Sequence, residues 1–174
     1  MEEIEVKVLG IDTGEVIPQL VSMGAKKLFE GVIHSAYYDT SGNHDATRPI
    51  VRVRKKGGQC HVTLKLRKDD PDARVSDEYE IEVDDYEGAR KLFRNLGYRE
   101  FATDTRRRTS YRVWNSSIEI DEHEGIPAFL EIESPDKDEL KTLVEALGFS
   151  YGQALSWTTK DVLNHYQKYP TKKK

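Results

Sequence analysis

Glu3, Glu5 and Lys7 alternate with Ile4, Val6 and Val8 near the start of the chain. Strand side chains point to opposite faces in turn, so this pattern puts two carboxylates and an ammonium on one face, about 7 Å apart. Two carboxylates at that spacing can converge on one hard divalent cation or on two adjacent ones. The alternation recurs along the chain. Arg52 and Arg54 flank Val53, and Thr63, Lys65 and Arg67 alternate with Val62, Leu64 and Leu66. Glu78, Glu80 and Glu82 alternate with Tyr79, Ile81 and Val83; Glu119 and Asp121 with Ile118 and Ile120; Glu131 and Glu133 with Leu130 and Ile132. A sheet with one wet face carries a mixture of ordinary polar residues there. Here the charges segregate by strand, some offering Arg and Lys and others only Glu and Asp. That segregation suits a closed barrel with a charged interior and an apolar outer face covered by helices. Its basic strands would hold a polyanion and its acidic strands the accompanying metal ions.

Four helices punctuate these strands. Asp12 caps one that runs to about Met23, and Pro18 shortens or kinks it. Asp84 or Asp85 caps a second, through Leu92, Phe93 and Leu96. A third spans Asp136 to Leu147, with Leu140, Leu143, Val144 and Leu147 at helical spacing. Ser156 caps a fourth, from about Trp157 to Gln167. The first three end alike, in Met23-Gly24-Ala25, Leu96-Gly97-Tyr98 and Leu147-Gly148-Phe149, where a left-handed glycine turns the chain into the next strand. Residues 67–77 read as a mobile loop, residues 40–49 as a turn-rich stretch, and Lys172 to Lys174 as a solvated basic tail.

Composition bounds the classes of function. The 174 residues are enough for one core, which predicts a single domain over 1–168 with a basic tail at 169–174. The charged fraction of 33% beside a hydrophobic fraction of 37% fits a barrel whose interior consumes polar residues. A net charge of −4 argues against a general nucleic-acid binder. Cys60 stands alone, which excludes an internal disulfide and a cysteine zinc site, and the five histidines lack zinc spacing. No apolar run near 18 residues and no signal-peptide core occurs, so the expectation is a cytoplasmic protein with no membrane partner. No glycine-rich phosphate loop or nucleophilic serine motif is present. Trp114 and Trp157, with Tyr37, Tyr38 and Tyr151, read as core or rim packing.

Taken in order, E-x-E-x-K at 3–7, V-R-V-R at 51–54, T-L-K at 63–65, E-Y-E at 78–80, R-R-R-T-S-Y at 106–111, I-E-I-D at 118–121 and E-I-E at 131–133 resemble the CYTH domain pattern. That family belongs to the triphosphate tunnel metalloenzyme superfamily, with class IV adenylyl cyclases, thiamine triphosphatases and inorganic triphosphatases. The resemblance covers roughly residues 2–166 and implies an α+β fold, an eight-stranded antiparallel tunnel that binds a triphosphate with a divalent metal. It implies that Arg52, Arg54, Lys65, Arg106 and Arg108 cradle the phosphates, Arg106 standing where the family pattern has Lys. Arg107, one position out of phase, faces outward. Glu3, Glu5, Asp121, Glu131 and Glu133 would hold Mg²⁺ or Mn²⁺, which removes the repulsion among five crowded carboxylates. Glu78 and Glu80 support the site, Glu80 by positioning a basic residue. The family arginine upstream of this E-x-E is absent, its place falling at about Ser76, and Arg74 can substitute for it. Lys7 has two readings, as a phosphate contact or as the group that orients or deprotonates the attacking water, and the resemblance favours the second. The leading expectation is hydrolysis of inorganic tripolyphosphate or a small organic triphosphate by a monomer or homodimer. The alternatives are a class IV-like adenylyl cyclase, in which the ATP ribose 3′-hydroxyl attacks the α-phosphorus, and a non-catalytic polyphosphate- or nucleotide-binding module.

Overall fold

The computed structural model describes residues 2–41, 49–68 and 74–169, without the side chains of Glu2, Glu3 and Arg74. The strands are β1 (Glu2–Leu9), β2 (Lys26–Asp39), β3 (Ile50–Lys56), β4 (Gln59–Lys68), β5 (Arg74–Val83), β6 (Arg99–Val113), β7 (Ser116–Glu122) and β8 (Phe129–Ser134). The helices are α1 (Thr13–Ser22), α2 (Tyr86–Asn95), α3 (Lys137–Ala146) and α4 (Thr159–Lys168). The eight strands close into a barrel in the order β1-β5-β4-β3-β2-β6-β7-β8. The fold is therefore the α+β barrel with helices that the alternation and the resemblance predicted.

Asp12 and Asp85 cap α1 and α2 through their carboxylates, as expected, and Asp136, read from the sequence as the first residue of the third helix, caps α3. Gly24, Gly97 and Gly148 have φ of 76°, 90° and 82°. In each case the next residue's N–H returns to the last turn, Ala25 to Leu20, Tyr98 to Phe93 and Phe149 to Val144. Pro18 lies inside α1 without ending it. Two boundaries differ from expectation. Thr158, not Ser156, caps α4, through a reciprocal box with Asp161. The stretch 67–77 is mostly strand, since Arg67 pairs with Ser76 and Lys68 with Val75, which is buried. Residues 69–73 of that stretch, 42–48 of the expected turn and 170–174 of the tail lie outside the described residues.

The chain forms two compact units. One comprises Met1–Glu2, Gly31–Asp69 and Val75–Arg106. In it Ala36, Tyr38, Val51 and Val53 pack against Ala89 of α2, flanked by Val62, Leu64, Val83 and Phe93. The alternate positions, Arg52, Arg54, Thr63, Lys65, Glu78 and Glu80, fall on the opposite, inner face. The other unit comprises Glu3–Glu30, Asp70–Arg74 and Arg107–Lys174. Its Ile4, Val6, Ile118, Ile120, Leu130 and Ile132 are buried, and α3 packs on β8 with Leu140, Leu143 and Val144 fully buried. Each such helix side chain contributes about 1.5–3 kcal/mol by leaving water. This covered outer face commits Glu5, Lys7, Arg108, Glu119, Asp121, Glu131 and Glu133 to the inner one.

Candidate functional site

Strand register brings the charges of the second unit together. Lys7 lies opposite Glu131, and Glu5 opposite Glu133, across β1 and β8. The Lys7 ammonium is completely buried and donates to Glu5 and to Glu131, the latter at 2.7 Å. Its backbone is held as well: Lys7 N–H donates to the Leu155 carbonyl and Leu155 N–H to the Lys7 carbonyl, both at 2.8 Å. Glu5, Glu131 and Glu133 each direct a carboxylate oxygen to a common place, all three within 4.8 Å of one another. Beside them Arg108 forms a fork on Asp121, Nε to Oδ1 at 2.5 Å and Nη2 to Oδ2 at 2.6 Å. The same guanidinium reaches Glu131 at 3.2 Å and Glu119 at 3.6 Å, and Ser110 donates to Glu119. Burial works against the charge on Arg108, but Asp121 and Glu131, with Glu119 behind them, outweigh it and hold its pKa well above the ordinary arginine value.

The first unit carries a separate basic group. Arg52 donates to Thr63 at 3.2 Å and lies 3.6 Å from Glu80 and 3.8 Å from Glu78. Arg54 donates to Glu80 at 3.2 Å, Thr63 donates to Glu80 at 2.7 Å, and Lys65 donates to Glu78. Burial pushes the Glu80 carboxyl upward, but the Thr63 hydrogen bond and then Arg54 and Arg52 prevail and hold it below the usual range. Arg106 is buried and donates to Asp104. The buried atoms Ser35 Oγ, Arg52 Nε and His61 Nδ1 have no hydrogen-bond partner among the described residues. Register aligns Ser35, Arg54 and His61 across β2, β3 and β4, with Arg52 two residues away. Buried polar atoms of this kind find partners in water or in a ligand.

The expected site residues thus fall into two groups. Glu5, Lys7, Arg108, Asp121, Glu131 and Glu133 gather in the second unit. Arg52, Arg54, Lys65, Glu78, Glu80 and Arg106 belong to the first. The side chain of Glu3 and that of Arg74 lie outside the described residues. Arg107 is exposed and paired with Glu30, outward as expected. Asp121 is not among the three converging carboxylates; both its oxygens are engaged by Arg108. Glu119, Ser110 and Thr63 join the charged groups without having been singled out. Their alternation with Asp121, Arg108 and Lys65 was the available signal. Leu155 offered none, because its contact is through the backbone.

A family model for the CYTH domain matches residues 1–161. The chain belongs to the CYTH family. It is 30% identical over 139 residues, 79% of each chain, to a Methanocaldococcus jannaschii protein named "Putative adenylate cyclase". Among solved structures, the PH1012 protein of Pyrococcus horikoshii shares the fold with a TM-score of 0.78 and 24% identity, over 91% of this chain and 98% of that one. A Hippeastrum protein, named as a putative adenylyl cyclase and described as having a dominant triphosphatase activity, has a TM-score of 0.65 and 16% identity over 94% and 95%. CYTH membership implies a divalent metal, and the donor set fits one. Glu5, Glu131 and Glu133 offer only hard oxygen atoms, converging closely enough for a shared ion, as Mg²⁺ or Mn²⁺ requires.

Proposed function

We propose that this CYTH protein is a divalent-metal-dependent enzyme that hydrolyses inorganic tripolyphosphate or a small organic triphosphate. The convergence of Glu5, Glu131 and Glu133 beside the buried Lys7 carries this reading. These carboxylates, joined by Glu3 on the alternation of the sequence alone, would hold Mg²⁺ or Mn²⁺, which when bound supplies Lewis-acid polarisation of phosphoryl oxygens. Arg52, Arg54, Lys65 and Arg106 contact phosphate oxygens. Arg108, held charged by its carboxylates, balances negative charge as it builds on the transferred group. Lys7 donates to an oxygen at the reacting phosphorus and orients the attacking water, whose oxygen bonds to the terminal phosphorus as the bond to the penultimate phosphate breaks. Release of orthophosphate and the shortened chain completes the reaction. The protein would act in the cytoplasm; among the described residues no helix is long and apolar enough to cross a membrane.

The name carried by the M. jannaschii relative favours a second reading, cyclisation of ATP. Product analysis separates the two. The purified protein is incubated with tripolyphosphate, ATP and thiamine triphosphate in Mg²⁺ and Mn²⁺. Orthophosphate release supports hydrolysis, and cyclic AMP with diphosphate supports the cyclase. Binding without product in any incubation overturns both in favour of a binding module.

A further inference from the structure

The outer face of the first unit is covered only in part. Val62 and Leu64 of β4 pack with the core under α2, and they pair across the sheet with Ile81 and Tyr79 of β5. Paired residues share a face, so Ile81 and Tyr79 continue the same apolar band. Both are nonetheless more than half exposed. On β5 the alternate positions, Glu78 and Glu80, turn inward to Lys65, Arg52 and Arg54, which commits Tyr79 and Ile81 to the outside.

Helix α2 supplies the other half of this patch. It lies over β3 and β4, with Ala89 and Phe93 in the core beneath it. Arg90 donates to Tyr38 of β2 at 3.3 Å and to Glu100 of β6 at 3.0 Å, and Arg94 donates to Glu100 at 3.3 Å. These bonds fix one flank of the helix toward β2 and β6. Leu92 and Leu96, one turn apart, lie on the other flank of the Ala89–Phe93 stripe. In the strand order β5-β4-β3-β2-β6 that flank faces β5. Leu92 and Leu96 are also more than half exposed. Four large side chains therefore border one shallow groove, a helix ridge beside a flat strand floor. At on the order of 100 Å² each they leave roughly 400 Å² of mostly apolar surface in water, the size at which a patch marks an interaction site.

The rest of the chain does not supply a cover. Outside the described residues stand Met1, 42–48, 69–73 and 170–174, and Met1 is the one large apolar side chain among them. The area suits a pair of copies instead. A homodimer interface is about 65% apolar, so roughly 400 Å² of apolar surface implies about 600 Å² per copy and about 1,200 Å² in all, the lower bound for a stable specific interface. The two halves of the groove are unlike. A two-fold axis lets the ridge of each copy lie on the floor of the other, so the same contacts are made twice.

We propose that the chain forms a two-fold homodimer through this groove, with Leu92 and Leu96 of one copy seated on Tyr79 and Ile81 of the other.

The test is sedimentation equilibrium of the full chain over roughly 1–200 μM. The wild type is expected to reach twice the mass of one chain. Ile81→Lys and Leu96→Lys alter exposed positions, so each should keep the wild-type circular dichroism spectrum. Each should also raise the dimer dissociation constant at least about tenfold. Where a lysine disturbs folding, Tyr79→Thr and Leu92→Gln, which suit strand and helix, are read by the same criterion. Val21→Lys, at an exposed apolar position of α1 in the other unit, should leave the dimer unchanged. A wild type that stays at the mass of one chain throughout overturns the proposal and leaves the groove to a different protein. A dimer as stable in the groove variants as in the wild type, or weakened equally by Val21→Lys, overturns it too.

Discussion

Replacing Asp121 by Asn removes one charge from the most deeply buried ion pair of the second unit. Asp121 is fully buried, and both of its oxygens accept from Arg108, at 2.5 and 2.6 Å. Asn keeps the shape and one acceptor, but turns the other oxygen into an NH₂ group facing a donor. A hydrogen bond to a charged group contributes about 1.5–3 kcal/mol, and breaking a buried pair by removing one partner costs about 3–5 kcal/mol. Arg108 retains Glu131 at 3.2 Å and Glu119 at 3.6 Å, so part of its charge remains compensated. The expected loss is therefore about 2–4 kcal/mol. With a urea slope of about 2 kcal/mol per molar, the unfolding midpoint falls by about 1–2 M. The melting temperature drops by roughly 5–15 °C. Circular dichroism in urea reads the midpoint, and the loss should be nearly equal at roughly 0.05 and 0.5 M salt, because a buried pair is little screened. Combining Asp121→Leu with Arg108→Met should recover little of the stability, since the buried Glu119 and Glu131 then lose the same guanidinium. A midpoint shift below about 0.3 M, or one that vanishes in salt, would refute the argument that this fork is a desolvated pair.

Glu131→Gln and Glu133→Gln should each weaken Mn²⁺ binding at least about tenfold, read by titration calorimetry, and sharply reduce turnover; unchanged Mn²⁺ affinity in both would remove these carboxylates from the metal site. Arg52→Ala should lower kcat/KM about tenfold or more and raise KM, whereas Lys7→Met at saturating metal should fall mostly on kcat. A Lys7→Met effect confined to KM would make Lys7 another phosphate contact. On the acid side, Glu100 is the group to follow. Burial pushes its carboxyl upward, but the hydrogen bonds from Tyr38 and Arg90 prevail and hold it below the usual range. A depressed carboxylate contributes stability that is complete above its unfolded value and lost as pH falls through the folded one. Glu100→Gln should therefore flatten the decline of the urea midpoint on acidification, and an unchanged slope would show that other carboxylates set it.

Much of this protein is legible without coordinates, because strand alternation is a local property. Whether Lys7 shares a face with Glu5, or Glu131 with Glu133, depends only on the two-residue period of an extended chain. Helix ends are local too, so Asp12 and Asp85, together with the three glycines, announced the ends they cap. The fourth helix began two residues late because Ser156 and Thr158 are both competent caps. Only Thr158 has Asp161 placed to complete the reciprocal pair.

What alternation leaves open is which strands become neighbours and in what register, since those are set by packing between residues far apart in the chain. Register made Lys7 the partner of Glu131 and joined Asp121 to Arg108 rather than to the converging carboxylates. The period-2 pattern also treats Glu119 and Asp121 alike. Their different partners arise only when β6 and β8 arrive on either side of β7. Trp114 shows the same division: its type suggested core or rim packing, and the structure sets it half exposed with a φ of 50° between β6 and β7. The sequence by itself determined the inventory of charges and the face each occupies. Tertiary structure alone decided their distances, because a hydrogen bond or a shared cation depends on a few ångströms that no local pattern encodes.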